Sequence, residues 1–178
     1  MKVNQDKFRE LVLYLSEKSR DDKKFGAIKL NKLLYFCDFG AYVKFGTPIT
    51  GVTYFRLENG PAPRCLVPAR REMEEQGLIR IDNVKLANGK IQVRTVNLRA
   101  PKMAAFRVEE IEYIDQVCEN LQNLDADDVS DLSHMDIAWI VMRQKENIPY
   151  DLAFYSNQPL TEEEIKRGRE IAAARKAA

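Results

Sequence analysis

The chain has 178 residues, with 28 Lys and Arg against 27 Asp and Glu, so its formal net charge is +1. Its 45% hydrophobic and 31% charged residues exclude an intrinsically disordered protein and a membrane-spanning one, since both need a more one-sided composition. The length suffices for one core, the start is polar, and no apolar run approaches the roughly 20 residues of a membrane span. We therefore expect a single cytoplasmic domain over 1–178 with no membrane association.

Hydrophobic periodicity predicts two helices in the first quarter of the chain. The first covers about 5–18, with Asn4 as its N-cap. The second covers about 27–45 and is apolar on most sides, so we expect it at the centre of the fold. One stripe along it is polar and consists of Asn31, Tyr35, Asp38 and Tyr42. It is interpreted as a buried hydrogen-bonded network or as a binding groove, and we favour the network.

The next segment predicts a strand and a helix. Val52 to Leu57 has the composition of a short strand. Pro61 and Pro63 are expected to start a helix, since proline is tolerated in a first turn. Pro68 is expected to delay the regular helix to about residue 67, and Gly77 to end it.

A hairpin follows this helix. A strand begins at Leu78, and Asn88-Gly89 predicts a type I′ turn before the alternating segment 90–98. Helix, glycine, strand and hairpin together resemble a winged-helix unit. The expected fold class is mainly α (α+β), a multi-helix domain with a small antiparallel hairpin of winged-helix-like character.

The C-terminal half predicts mostly helices. An amphipathic helix begins near Val108, and a short one is capped by Asp125. Ser133 is expected to cap a further helix that contains Trp139. Residues 147–158 are expected to be irregular, and a capping box at Thr161 predicts a closing helix over about 162–176.

The charge is divided unevenly. Residues 1–100 carry 19 Lys and Arg against 11 Asp and Glu, whereas residues 101–178 carry 9 against 16. No lysine or arginine lies between Arg107 and Arg143. These acids are the solvated faces and N-termini of helices, or they form a surface that attracts a basic partner. Asp127, Asp128 and Asp131 are the candidate contacts there, with Asn31 and Tyr42 on the second helix.

No catalytic or metal-binding motif is found. The three cysteines (Cys37, Cys65 and Cys118) are far apart, and His134 is the single histidine. Zinc sites usually need paired ligands at short spacing, so we expect no metal, no cofactor and buried, reduced thiols. His134 could act as a general base, but a structural role is favoured, and Trp139 is interpreted as a core anchor.

Several motifs follow one another along the chain, residues 29–38, then 60–63 and, much later, His134 and Trp139. Their order resembles the Panacea domain of the SocA-like antitoxin family, which includes phage-associated proteins called GepA. The resemblance covers roughly residues 27–155 and departs from the family pattern at Asn31, Cys37 and Pro68. The loop Gly46–Gly51, Tyr54 and Gly77–Ile79 also belong to it. The residues that carry it, and for which a structural role is expected, are Lys29, Leu30, Lys32, Leu33, Leu34, Tyr35, Asp38, Gly60, Pro61, Pro63, His134 and Trp139.

The resemblance implies an antitoxin, not an enzyme, that neutralises a co-encoded toxin by direct binding. It also implies a possible second partner, because one relative delivers its toxin to a protease as an adaptor. The alternative hypothesis is a winged-helix-like DNA-binding regulator. Glu72, Glu74 and Glu75 on the candidate recognition helix make nucleic acid an unfavourable partner, since recognition helices usually carry a basic or amide-rich face. A hydrolase built around His134 is a distant third hypothesis.

Overall fold

The computed structural model describes residues 3–155, and the closing helix expected over 162–176 lies outside them. Six α-helices and five short strands follow one another in this range, so the fold class is mainly α with a small β component, as predicted. The helices are α1 (Gln5–Lys18), α2 (Ala27–Phe45), α3 (Leu66–Glu75), α4 (Val108–Leu121), α5 (Ala126–His134) and α6 (Ile137–Ile140). The strands are β1 (Tyr54–Leu57), β2 (Gly60–Pro63), β3 (Ile79–Lys85), β4 (Ile91–Asn97) and β5 (Asn147–Ile148).

The helix α2 is the centre of the molecule, as its sequence predicts. It packs against α1, α4, α5, β2 and β4. Leu30, Leu34 and Cys37 have no solvent exposure, because apolar side chains on several sides of one helix require a neighbour on each side. The helix α1 is also confirmed, and Asn4 Oδ1 accepts the Lys7 N–H at 2.9 Å as its N-cap.

A three-stranded antiparallel sheet has the order β2-β1-β5. The prediction that Pro61 and Pro63 begin a helix is wrong, since both lie in β2, opposite Arg56 and Tyr54 of β1. The two prolines are two residues apart, so their nitrogens point to the same side of the strand. An edge strand leaves one side unpaired, and proline is tolerated there.

The helix α3 starts at Leu66, close to the predicted start, and Pro68 occupies its first turn, where its missing N–H removes no helical bond. Gly77 ends the helix as predicted, with a φ of 68°. Its N–H donates to Glu74 O, and the Leu78 N–H donates to Met73 O, at 2.9 and 2.8 Å. This pair of bonds is the Schellman arrangement.

The hairpin of β3 and β4 is confirmed, but its turn is not type I′. Gly89 has a φ of 80°, whereas Asn88 lacks the positive φ that a type I′ turn requires at both central residues. The Gly89 N–H donates to Leu86 O at 2.9 Å, so the loop contains three residues, with glycine at the left-handed position. The helix α3 packs on β3, and β4 packs on α1.

The C-terminal half differs from its prediction at one boundary. The helix α5 continues through Ser133 to His134, and Asp136 caps α6, so the prediction of Ser133 as an N-cap is wrong. Ser133 is fully buried, and its hydroxyl donates to Ser130 O at 2.8 Å within the helix. The segment expected to be irregular contains β5 and a 3₁₀ helix at Tyr150–Phe154. No helix in residues 3–155 is both long and apolar enough to cross a membrane.

Candidate functional site

Motif residues from α2, from α5 and from α6 converge on the tight turn between β1 and β2. Lys32 of α2 lies beneath this turn with 2% exposure. Its ammonium donates to Asn59 O and, at 3.5 Å, to Pro61 O. The turn directs carbonyl groups inward, and the lysine satisfies two of them.

Gly60 allows this close approach. Its φ is 95°, and a Cβ at this position would overlap both Lys32 Nζ and Ser133 Oγ. Glycine adopts a positive φ without steric cost and leaves space for the two side chains. The α2 helix, the β1–β2 turn and α5 therefore meet at one point.

Trp139 and His134 hold the outer side of the same turn. Trp139 Nε1 donates to Leu57 O at 3.0 Å, and the indole stacks on the His134 ring with centroids 4.0 Å apart. The guanidinium of Arg56, a β1 residue, lies 4.1 Å from the centre of the Trp139 ring. These contacts attach α5 and α6 to the small sheet.

The electrostatic environment of this cluster is unusual. Burial lowers the pKa of Lys32 to about 7, and within residues 3–155 no carboxylate forms an ion pair with it. Burial also lowers the pKa of His134, and the neighbouring Lys32 charge acts in the same direction. Lys32 thus satisfies carbonyl groups of the turn, and Asp131 is the carboxylate whose charge acts on His134.

Lys29 has a different environment on the same helix. Its buried ammonium pairs with Asp22 at 2.6 Å and donates to the carbonyl oxygens of Gln122 and Leu124 at 2.9 and 2.7 Å. All three donors are used. The lysine therefore holds the segment between α4 and α5 against α2.

The polar stripe of α2 divides into buried and exposed parts. Asp38 is fully buried and accepts hydrogen bonds from the Thr50 N–H at 2.7 Å and the Tyr54 hydroxyl at 2.9 Å. Tyr35 donates to Asp136 at 2.6 Å, and the other carboxylate oxygen of Asp136 accepts the Ala138 N–H that caps α6. Both side chains therefore form hydrogen bonds in the interior, as the network interpretation predicts, in two groups: Asp38 with Thr50 and Tyr54, and Tyr35 with Asp136.

The other two residues of the stripe are more exposed. Asn31 donates to Ala27 O at 2.8 Å and lines a cavity of about 300 Å³ beside Lys32. Tyr42 donates to Asp151 at 2.5 Å at the surface. Neither residue lies in the Asp38 network.

The acidic segment also divides into two groups. Glu110, Asp125 and Asp136 have structural contacts: Glu110 pairs with Lys7 at 2.7 Å, and the two aspartates cap α5 and α6. Asp127 and Asp131 are exposed on α5. Asp128 is exposed too, but one of its oxygens accepts the Asp125 N–H at 3.0 Å.

Two apolar side chains lie beside these aspartates, Leu132 with 38% exposure and Met135 with 58%. We refer to the exposed side of α5 as the α5 face, which consists of Asp127, Asp128, Asp131, Leu132 and Met135. Leu132 and Met135 also line a shallow groove of about 280 Å³. The other residues of the groove are Phe36, Asp136, Ile137, Ala153 and Tyr155.

This apolar component is not predicted from the sequence pattern. The expected break at Ser133 divided α5 before its last turn, so Leu132 and Met135 were not placed on one face with the aspartates. Helical spacing from Asp128 through Leu132 to Met135 was the signal that could have revealed it.

The described residues offer little reactive chemistry. Burial raises the pKa of Cys65 to about 11 and of Cys118 to about 12, and Cys37 is fully buried with a raised pKa. Such thiols remain protonated and are poor nucleophiles. Within residues 3–155 no group of three His, Cys, Asp or Glu side chains is arranged to hold a metal ion.

Comparison with known proteins places the chain in a family. The sequence model described as antitoxin SocA-like, Panacea domain, matches residues 30–140. This range extends from the first half of α2 to the end of α6 and contains the whole convergence at the β1–β2 turn. No match was found among curated proteins or among solved structures.

Proposed function

Because the chain belongs to the SocA-like antitoxin family with a Panacea domain, we propose that it is an antitoxin that neutralises a co-encoded toxin by direct protein–protein binding. The family match over residues 30–140 carries this proposal, since it covers more than half of the chain. The motif residues that identify the family are largely buried. They maintain the fold, and the exposed surface remains for a partner.

The proposal includes that the protein is not an enzyme. The side chains that could take part in catalysis have other contacts or are unreactive: His134 stacks on Trp139, Lys32 donates to carbonyl oxygens, and the thiols have raised pKa values. Catalytic acids and bases need a partner and access to a substrate. Binding needs only a stable surface, which this packing supports.

DNA is a less favourable partner than a protein. The helix α3, which would be the recognition helix of a winged-helix protein, exposes Glu72, Glu74 and Glu75. Arg71 on the same helix pairs with Glu75 at 3.0 Å, and Arg9 of α1 pairs with Glu72 at 2.8 Å. Carboxylates repel phosphates, and paired arginines have less freedom to contact them.

Co-expression with the product of the adjacent open reading frame tests the proposal. We expect that product alone to arrest growth, and that co-expression of this chain restores growth and yields a stable 1:1 or higher-order complex on size-exclusion chromatography. Expression of the chain by itself is the control and should leave growth unchanged. Retention on DNA at about 0.15 M salt that falls steeply at higher salt, together with no rescue, would instead assign the protein to transcriptional regulation.

A further inference from the structure

We propose that the α5 face and its adjoining groove form the surface on which the toxin docks, and that the toxin presents an apolar side chain within a basic surface. This inference rests on the proposed antitoxin function and specifies where the partner binds. The observations that carry it are the exposed apolar side chains, the aspartates beside them, which form no ion pair within residues 3–155, and the buried contacts beneath them.

The surface has an apolar part. Leu132 of α5 and Met135, which follows that helix, line the groove together with Ile137. Ile140 and Val141 lie three and four residues after Ile137, at helical spacing, with 46% and 55% exposure. Exposed apolar residues elsewhere are spread over several other elements, among them Val67 on α3, Ile91 on β4 and Val108 on α4. Apolar side chains gathered around a concavity are typical of a protein contact, whereas single exposed ones need no explanation.

The charge of the surface indicates the chemistry of its partner. Within residues 3–155, no lysine or arginine forms an ion pair with Asp127, Asp128 or Asp131. Asp125 caps α5 through the Asp127 and Asp128 N–H groups, both at 3.0 Å, so the helix does not need the carboxylates of Asp127 and Asp131. A basic partner surface would neutralise these carboxylates and approach faster along their field.

Buried contacts support the face from beneath. Val129 and Ser133, on the opposite side of α5, are fully buried. Lys29 fixes the Leu124 carbonyl just before the helix, and the β1–β2 turn contacts its C-terminal half through Ser133 and His134. A preorganised surface loses little conformational entropy when a partner binds. The buried family motif thus positions the exposed face.

The rates at which variants of this chain bind and release the product of the adjacent gene test this inference. The apolar variants are Leu132→Ser and Val141→Ser, and the charge variant combines Asp127→Asn with Asp131→Asn. Matched controls are Val67→Ser, and Glu109→Gln combined with Glu112→Gln, which change exposed residues of the same types on α3 and α4. Circular dichroism and the urea midpoint show whether each variant keeps the fold.

We expect the apolar variants to dissociate about tenfold faster or more, as loss of an interface anchor does. The charge variant should associate several-fold more slowly at low salt, and about 0.5 M salt should remove that difference because it screens surface charges. The controls should bind like the wild type. Growth rescue should fall in the order of the affinities.

The outcomes separate the inference from the proposed function. If the wild type binds and rescues while Leu132→Ser, Val141→Ser and the charge variant all match it, this surface is wrong and the antitoxin function stands. If the wild type neither binds nor rescues, both proposals fall. If the free protein self-associates and Leu132→Ser abolishes this without an effect on the toxin, the face belongs to a second copy, which also overturns the inference.

Discussion

At Lys32 an ammonium group is enclosed by the β1–β2 turn and meets carbonyl oxygens, without an ion-paired carboxylate in residues 3–155. Burial disfavours the charged form, which lowers its pKa from 10.5 to about 7. Between these two pKa values the folded lysine has released its proton while the unfolded chain still binds one. The contribution of Lys32 to stability therefore rises with pH across this window and is smallest at and below about pH 7.

This pKa shift predicts the pH dependence of a substitution. The wild-type free energy of unfolding should rise from pH 7 toward pH 10 relative to Lys32→Met, with a slope of at most about 1.4 kcal/mol per pH unit. Urea unfolding at several pH values measures the difference, and Lys85→Met, at an exposed hairpin lysine, is the control. Parallel pH profiles for the wild type and Lys32→Met would show that the buried lysine keeps its proton.

Gly60 permits a second prediction with an internal control. Gly60 and Gly89 have similar φ values, 95° and 80°, but a Cβ at Gly60 would overlap Lys32 and Ser133, whereas nothing lies within 4 Å of one at Gly89. Gly89→Ala should lose about 1 kcal/mol for the left-handed conformation. Gly60→Ala should lose clearly more, by about 1–3 kcal/mol, as overpacking does. Equal urea midpoints for the two variants would mean that the turn moves without cost.

At the scale of elements, side chains that join one helix to another explain why short helices are stable. The helix α6 has four residues, too few to be stable alone. Asp136 caps it and also accepts the Tyr35 hydroxyl of α2, and Trp139 binds the sheet. The short helix is therefore held by tertiary contacts.

Substitution of Asp136 tests this dependence. Asp136→Ala should lower the free energy of unfolding by about 2 kcal/mol or more, because it removes a cap and leaves the buried Tyr35 hydroxyl unpaired. Asp136→Asn should lose less, since its oxygen can still cap the helix and its amide can donate to the hydroxyl. Asp127→Asn, on exposed α5, should stay within about 0.5 kcal/mol of the wild type. A loss as small for Asp136→Ala as for Asp127→Asn would contradict the anchoring role.

At the scale of the whole molecule, the core encloses Cys37, whereas Cys65 and Cys118, which were also expected to be buried, are only partly buried against it. Cys37 lies at the centre of α2, and burial raises the pKa of Cys65 and Cys118. A disulfide exchange reagent at pH 7.5 should label the native protein at least tenfold more slowly than free cysteine, because the thiolate is the reactive form. In urea all three thiols should react at once. One native thiol that reacts as fast as free cysteine would show that the core opens there.

Local patterns in the sequence determined the main helices and most of their ends. Apolar spacing defined α1, α2 and α4, Asn4 and Asp125 specified N-caps, and Gly77 specified a C-terminal end. These features depend on interactions within a few residues, so one chain segment contains the whole signal. The motif order likewise indicated the family, because it is a property of the sequence itself.

Only the tertiary structure decided how these elements pair and pack against one another. Pro61 and Pro63 became part of an edge strand because β1 lies on one side of them, and Ser133 became a buried helical residue because α5 packs on α2 and β2. Lys32, Gly60 and Trp139 met at one turn from positions far apart in the chain. Contacts between distant segments leave no local periodicity. No pattern within one segment could therefore predict that these three residues meet, or that the α5 face is exposed beside them.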